Sequence, residues 1–241
     1  MHRFFIIPEG IHEDRVHLSG AIARQIARGL RLKPSEPCVV LDNAGDEYAV
    51  ILDDVNPELC SAWIVEKRAE EDPAVRLLML LCLTQRGKFE WMLQKCTGVE
   101  VAGFLPLISQ RSLIRDEAEL RNKYTRWVGI LREAAEQSRR SGIPGLFPAL
   151  RLKNAVQAIG QEYPLRLIPW EREKQANLKS LLKGRNNQSA ALLIGPEGGL
   201  GEEVVSTAKA AGFQPIPMGK RILRMATAAV VSAALILHEL A

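Results

Sequence analysis

The sequence predicts an α/β protein in which a small β-rich module precedes a larger domain built on a parallel sheet. Three observations carry that reading. After Pro73, short apolar runs alternate with helical stretches, the pattern of a parallel sheet covered on both faces. Before it, short strand-like runs are punctuated by turn residues. Between them, the charged segment EKRAEEDP at 66–73 marks a boundary, so the domains are expected at 1–72 and 73–241.

The first module opens with a short strand at 3–7, then an expected helix through HLSGAIARQIARGL at 17–30. Strands follow in EPCVVLDNAGDEYAVILDDV and CSAWIVEKR, the first folding back in a hairpin connection at 43–45. Arg24, Arg28 and Arg31 stand at i, i+4 and i+7 of the expected helix, where they could straddle a phosphate backbone; a solvated helix face is the plainer alternative. In the second domain, strands are expected at 75–83, 104–108, 164–170 and 190–194, separated by helices at 89–97, 124–140 and 174–182. A weak, proline-bearing strand at 214–218 precedes a last helix that ends at 239.

The strand at 190–194 runs through IGPEGGLG into a helix at 202–211, so Gly195, Gly198, Gly199 and Gly201 sit on a strand-to-helix turn. Such turns often cradle phosphate, because backbone N–H groups and the positive end of the helix dipole face the ligand. Here the charges oppose it. Glu202 and Glu203 already satisfy the dipole, Glu197 stands inside the loop, and no Gly-Lys-Ser/Thr is present. Nor is the glycine spacing that of a dinucleotide fingerprint. The ligand is expected to be neutral or cationic where it meets this loop; glycines alone would require only a tight turn.

Composition excludes several classes. At 47% hydrophobic and 25% charged, the chain is that of an ordinary globular protein. Cys38, Cys60, Cys82 and Cys96 lie far apart without a C-x-x-C, and the four histidines have no ligand spacing, so neither a disulfide framework nor a metal site is expected. No signal sequence is read at the start, and the apolar run at 225–237 is too short to span a bilayer. A cytoplasmic protein with reduced thiols is expected. Charge is uneven: residues 1–72 hold 8 Lys+Arg against 14 Asp+Glu, whereas 73–241 hold 24 against 14. The basic second domain favours a polyanionic partner.

The stretch MGKRILRMATAAVVSAALILHEL places Lys220, Arg221 and Arg224 in one loop before a helix that is apolar on every side between 225 and 237. Such a helix is expected to pack against both the sheet and another subunit. Two strand-end loops, GPEGG and MGKRILR, thus converge beside an interface.

These residues resemble the RsmE-type small-subunit ribosomal RNA uridine methyltransferases of the SPOUT superfamily. The resemblance rests on HRFFI, QKCTGVEV, Arg126–Trp127, EAAEQSRR at 133–140 followed by Pro144, IGPEGG and MGKRILRMATA. It implies a second domain tied in a trefoil knot, a PUA-like β-barrel as first domain, S-adenosyl-L-methionine as cofactor, and a homodimer. The implied reaction is methylation at N3 of a uridine in small-subunit (16S) ribosomal RNA. The cofactor would be held by Ile194, Gly195, Pro196, Glu197, Gly198 and Gly199 of the first loop. Met218, Gly219, Ile222, Leu223 and Thr227 would hold it from the second. Arg224 is the implied catalytic cation, with Arg139 or Arg140 reaching in from the partner subunit. RNA contacts are expected from Arg3, Arg24, Arg28, Arg31, Lys220 and Arg221, with no metal and no membrane involved.

The chain departs from the family pattern in two places. Where the family has L-R-T-E-T-A, this chain has Leu223-Arg224-Met225-Ala226-Thr227-Ala228, and Gly98 takes the place of a glutamate. A non-catalytic member that binds RNA or ribosomes is therefore the rival expectation. A Rossmann-type oxidoreductase survives on fold class alone, without its glycine fingerprint or ribose-binding acid.

Overall fold

The computed structural model describes residues 1–69, 73–109, 120–185 and 189–241. They divide into two units: Met1–Asp72 with Ala135–Ile143, and Pro73–Ala134 with Pro144–Ala241. Residues 70–72 of the charged boundary segment lie outside the described residues.

The first unit contains β1 (His2–Phe5), β2 (Ile11–His12), β3 (Arg15–Ser19), α1 (Gly20–Arg24), β4 (Pro37–Leu41), β5 (Asp46–Asp54) and β6 (Leu59–Ala69). The strands form one mixed sheet in the order β1-β4-β5-β6-β3-β2, parallel between β1 and β4 and antiparallel elsewhere. Among the described residues the sheet ends at β1 and β2, and no pairing closes it into the expected barrel. Val16, Leu18, Val40, Val50, Leu52 and Ala62 alternate inward to a core completed by Ala23 and Ile26. The hairpin falls where its residues place it, with Asn43 at φ 59 and Gly45 at φ 114.

The expected helix at 17–30 starts late. Val16 and Leu18 are buried while their neighbours are not, an alternation that keeps 17–19 in β3. After α1 the backbone widens into a π-helical run over Gln25–Leu30 and stops at Arg31, whose φ of 57 is left-handed. Arg24, Arg28 and Arg31 are all exposed, but they do not share the single α-helical face expected of them. A second small core joins Phe5, Val39 and Leu41 to Ala135. There the Phe5 N–H donates to Glu136 Oε1 at 3.1 Å, and the Ile143 N–H donates to Asn43 Oδ1 at 2.7 Å.

The second unit begins with β7 (Arg76–Cys82), α2 (Arg86–Gly98), β8 (Gly103–Ile108) and α3 (Arg121–Gln137), the last residues of α3 counting with the first unit. Then come β9 (Gly145–Leu146), β10 (Leu150–Arg151), α4 (Leu152–Ala158), β11 (Leu165–Pro169) and α5 (Leu178–Leu182). The unit ends with β12 (Ser189–Ile194), α6 (Glu202–Ala210), β13 (Gln214–Ile216) and α7 (Met225–Leu240). Its sheet is parallel throughout, in the order β10-β8-β7-β12-β11-β13, with β9 beside β8. Every residue of β8, and every residue of β7 and β12 after the first, is buried. Successive strand residues point to opposite faces, so both faces are covered, as the near-continuous apolar runs require. Helices α2, α5 and α7 pack together, and α4 packs with α6. Fully buried Phe89, Phe104 and Phe213 each contribute about 1.5–3 kcal/mol by leaving water. No described helix is long and apolar enough to cross a membrane.

Candidate active site

Strand β12 lies between β7, the first strand of the unit, and β11. In a parallel sheet, a break in strand order of this kind opens a crevice at the carboxyl ends. Two chain segments enter it. The first, 195–201, leaves β12 and leads into α6. Its turn is closed by the Gly199 N–H donating to the Pro196 carbonyl at 2.9 Å, with Gly199 at φ 74. Gly195 is required for a different reason: a Cβ there would stand 2.5 Å from Leu200 Cγ, because the loop folds its own leucine beneath it. The second segment, 217–224, joins β13 to α7. Arg224 is the extended residue before the first turn of α7; it is exposed and has no ion-pair partner among the described residues.

These segments wall a cavity of about 530 Å³. Ile194, Gly195, Pro196, Glu197, Gly198 and Gly199 form one side, and Ile222, Leu223 and Arg224 the other. A smaller cavity of about 120 Å³ shares Ile222, Leu223, Pro169 and Glu171 with it and adds Met218, Gly219, Lys220 and Arg221. Of the residues expected to hold the cofactor, only Thr227 lines neither. The helix explains this: Met225 and Ala228, three apart, share the face toward the cavity, and Thr227 is turned away from it and exposed.

Several other expected residues line neither cavity. Arg139 and Arg140 fall in the first unit and do not line these cavities. Arg139 takes a left-handed φ of 63 just beyond α3, and the Arg140 N–H donates to the Ala135 carbonyl at 2.9 Å, so this stretch closes the helix end. Glu136 accepts the Phe5 amide of the same unit. Arg3, expected among the RNA contacts, pairs through its guanidinium with Glu47 at 2.6 Å, with the two side chains 10% and 18% exposed. Its Nε is buried without a hydrogen-bond partner among the described residues.

Two wall residues escaped the sequence reading. Lys88, from the first turn of α2, donates to Glu197 Oε1 at 2.6 Å across the mouth of the cavity. Both side chains are about half exposed, so the pair adds at most about 1 kcal/mol of stability, yet it neutralises the loop carboxylate. Glu171, just past β11, lines both cavities and has no ion-pair partner among the described residues. Only the parallel pairing of β7, β12 and β11 brings either residue here, and no local motif marks them. The indole nitrogen of Trp170, which lines the smaller cavity, is buried without a partner among the described residues.

Comparison with known proteins agrees with this geometry. The family model described as an RNA methyltransferase domain matches residues 70–237. The ribosomal RNA small subunit methyltransferase E of Synechocystis sp. is 32% identical over 235 residues, 97% of this chain and 76% of that protein. Its counterpart in Mesomycoplasma hyopneumoniae is 31% identical over 176 residues, 72% of this chain and 75% of the relative. The crystal structure of the Neisseria gonorrhoeae ribosomal RNA small subunit methyltransferase E bound to S-adenosyl methionine has a TM-score of 0.87 at 27% identity, covering 99% of this chain and 97% of that one. Parallel sheet, strand-end cavity and family match together define an α/β protein of the RNA methyltransferase class. The chain belongs to the RsmE family, within the SPOUT superfamily.

Proposed function

We propose that this protein transfers a methyl group from S-adenosyl-L-methionine to N3 of a uridine in small-subunit (16S) ribosomal RNA. The observation that carries the proposal is the cavity walled by 194–200 and 222–225 with Arg224 among its lining residues, in a chain of the RsmE family.

The residues present fit the cofactor. The volume lies within the usual range for a cofactor-sized ligand. Gly195, Gly198 and Gly199 let backbone approach a ligand closely, and Leu200, Ile222 and Met225 offer apolar surface. With Glu197 neutralised by Lys88, Glu171 supplies the negative charge suited to a sulfonium. When bound, S-adenosyl-L-methionine supplies a methyl group on a good leaving group, so the protein's task is placement. Loss of the uridine N3 proton to solvent leaves negative charge spread toward O2 and O4. Arg224, always protonated, stabilises that charge but cannot itself take the proton.

The same reading includes the family's trefoil knot in the second domain, a PUA-like RNA-binding role for 1–72, and a cytoplasmic homodimer. The dimer is supported by α7, which leaves Val231 and Leu235 exposed one turn apart at 36% and 43%, and by Trp91 of the adjoining α2 at 44%.

The rival, a member that binds RNA without catalysis, draws on Ala226, where the family has a carboxylate. Ala226 lines neither cavity, which favours the active reading. The test is calorimetric titration with S-adenosyl-L-methionine, together with tritiated methyl transfer to small ribosomal subunits from a strain lacking the gene. One molecule bound per chain and label in a single 3-methyluridine are expected. Binding without label would favour the rival, and neither binding nor label would end both readings.

A further inference from the structure

A third cavity, of about 380 Å³, lies on the far side of the glycine loop from the cofactor site, and Pro196, Gly199 and Leu200 line both. Ile108 at the end of β8, Leu152 of α4 and Val204 of α6 contribute apolar surface to it. Arg151 and Lys153, on either side of Leu152, are both exposed and contribute the cations. Among the described residues Lys153 pairs with Glu203, which also lines the cavity, at 3.8 Å, with side chains 70% and 85% exposed, so solvent screens the pair and a stronger anion can displace it. Arg151 forms no ion pair among the described residues.

An apolar cavity with two cations beside it matches an unstacked nucleotide: the base is covered by aliphatic side chains while the phosphate meets Arg and Lys. We infer that this cavity holds a nucleotide flanking the target uridine, its base against Ile108, Leu152 and Val204 and its phosphate against Arg151 and Lys153. The inference rests on the methyltransferase reading above. The shared loop supplies the connection: the acceptor beside Arg224 and its neighbour beyond Gly199 would grip opposite sides of one backbone turn, so docking the RNA and presenting the target base become a single event. Neither the glycine motif nor the Lys220–Arg221–Arg224 cluster points to this wall, because β10 and α4 reach it only through pairing with β8.

The test compares Arg151→Ala/Lys153→Ala with Lys179→Ala/Lys183→Ala, a control pair on and beside α5 that lines none of the three cavities, using tritiated methyl transfer to small subunits from a strain lacking the gene. The cavity variant should raise KM for the subunit about tenfold and leave kcat within about twofold. Its affinity for S-adenosyl-L-methionine, measured by calorimetry, should be unchanged. The slope of log KM against log salt should flatten by about one, for the one phosphate no longer neutralised. Arg151→Lys/Lys153→Arg should restore most of the loss, which a merely structural defect would not allow. An unchanged KM, or an equal rise in the control, would overturn the nucleotide site and leave the methyltransferase reading standing. A wild-type protein that transfers no label would overturn both.

Discussion

Arg224 and Gly199 are the residues on which the chemistry turns. Arg224 is exposed, unpaired among the described residues and part of the cavity wall, so it is free to meet charge that develops on the acceptor. Arg224→Ala should lower kcat by roughly a hundredfold to a thousandfold, the usual cost of removing one charge-stabilising donor, while calorimetry shows unaltered cofactor affinity. A wild-type rate would remove the role assigned to it. Gly199 is constrained twice over: its φ of 74 is costly for any side chain, by about 1–2 kcal/mol, and a Cβ there would lie 3.3 Å from Glu171 Oε1. Gly199→Val should therefore weaken cofactor binding by at least about tenfold, because the strained turn and the crowded wall both displace the loop. Undiminished affinity would put the cofactor elsewhere.

Among the elements, α2 and α3 are joined by Glu90, which pairs with Arg126 at 2.7 Å and with Arg86 at 3.1 Å. Arg126 first, and Arg86 after it, holds the Glu90 carboxyl below its ordinary value of 4.5. A depressed carboxyl favours the folded state above the ordinary carboxylate range, and that stability is lost as pH falls through the lowered value. Glu90→Gln should thus be less stable than wild type near neutrality, with the gap narrowing below about pH 4.5; urea unfolding across pH measures it. A gap that stayed constant with pH would mean that packing, not charge, joins these helices. The same helix pair shows how far sequence reaches. Helices at 89–97 and 124–140 were legible in the sequence, but the pairing of Glu90 with Arg126 joins residues 36 apart and has no local signature.

For the molecule as a whole, all four cysteines are free and buried. Burial pushes the Cys38, Cys82 and Cys96 thiols up to about 12 from 9.0. A raised thiol binds its proton more tightly when folded, so its contribution is complete below about pH 9 and lost between there and about 12. Stability should decline over that alkaline interval, and no thiol should react with a disulfide reagent at pH 8 until denaturant exposes all four. Fast labelling of the native protein would contradict this burial. Assembly is the other whole-molecule property. In the proposed homodimer, Val231→Glu/Leu235→Glu on α7 should give a monomer in sedimentation and reduce methyl transfer; an unchanged mass would exclude this face as the seam.

Local pattern was enough for the class of fold, the main alternation of strands and helices in the second domain, and the two loops of the cavity, because these depend on periodicity and on glycine and charge placed within a few residues of one another. Local pattern also set limits. It extended a helix over 17–19, where inward-facing Val16 and Leu18 decide for strand, and it missed α4, whose seven residues are too few for a period to stand out. The folded arrangement was needed to show that no pairing closes the first sheet among its described strands, that Arg3 pairs with Glu47, and that Lys88 neutralises Glu197 while Glu171 completes the wall. Each of these is a contact between residues remote in the chain, and only the pairing of strands brings them together.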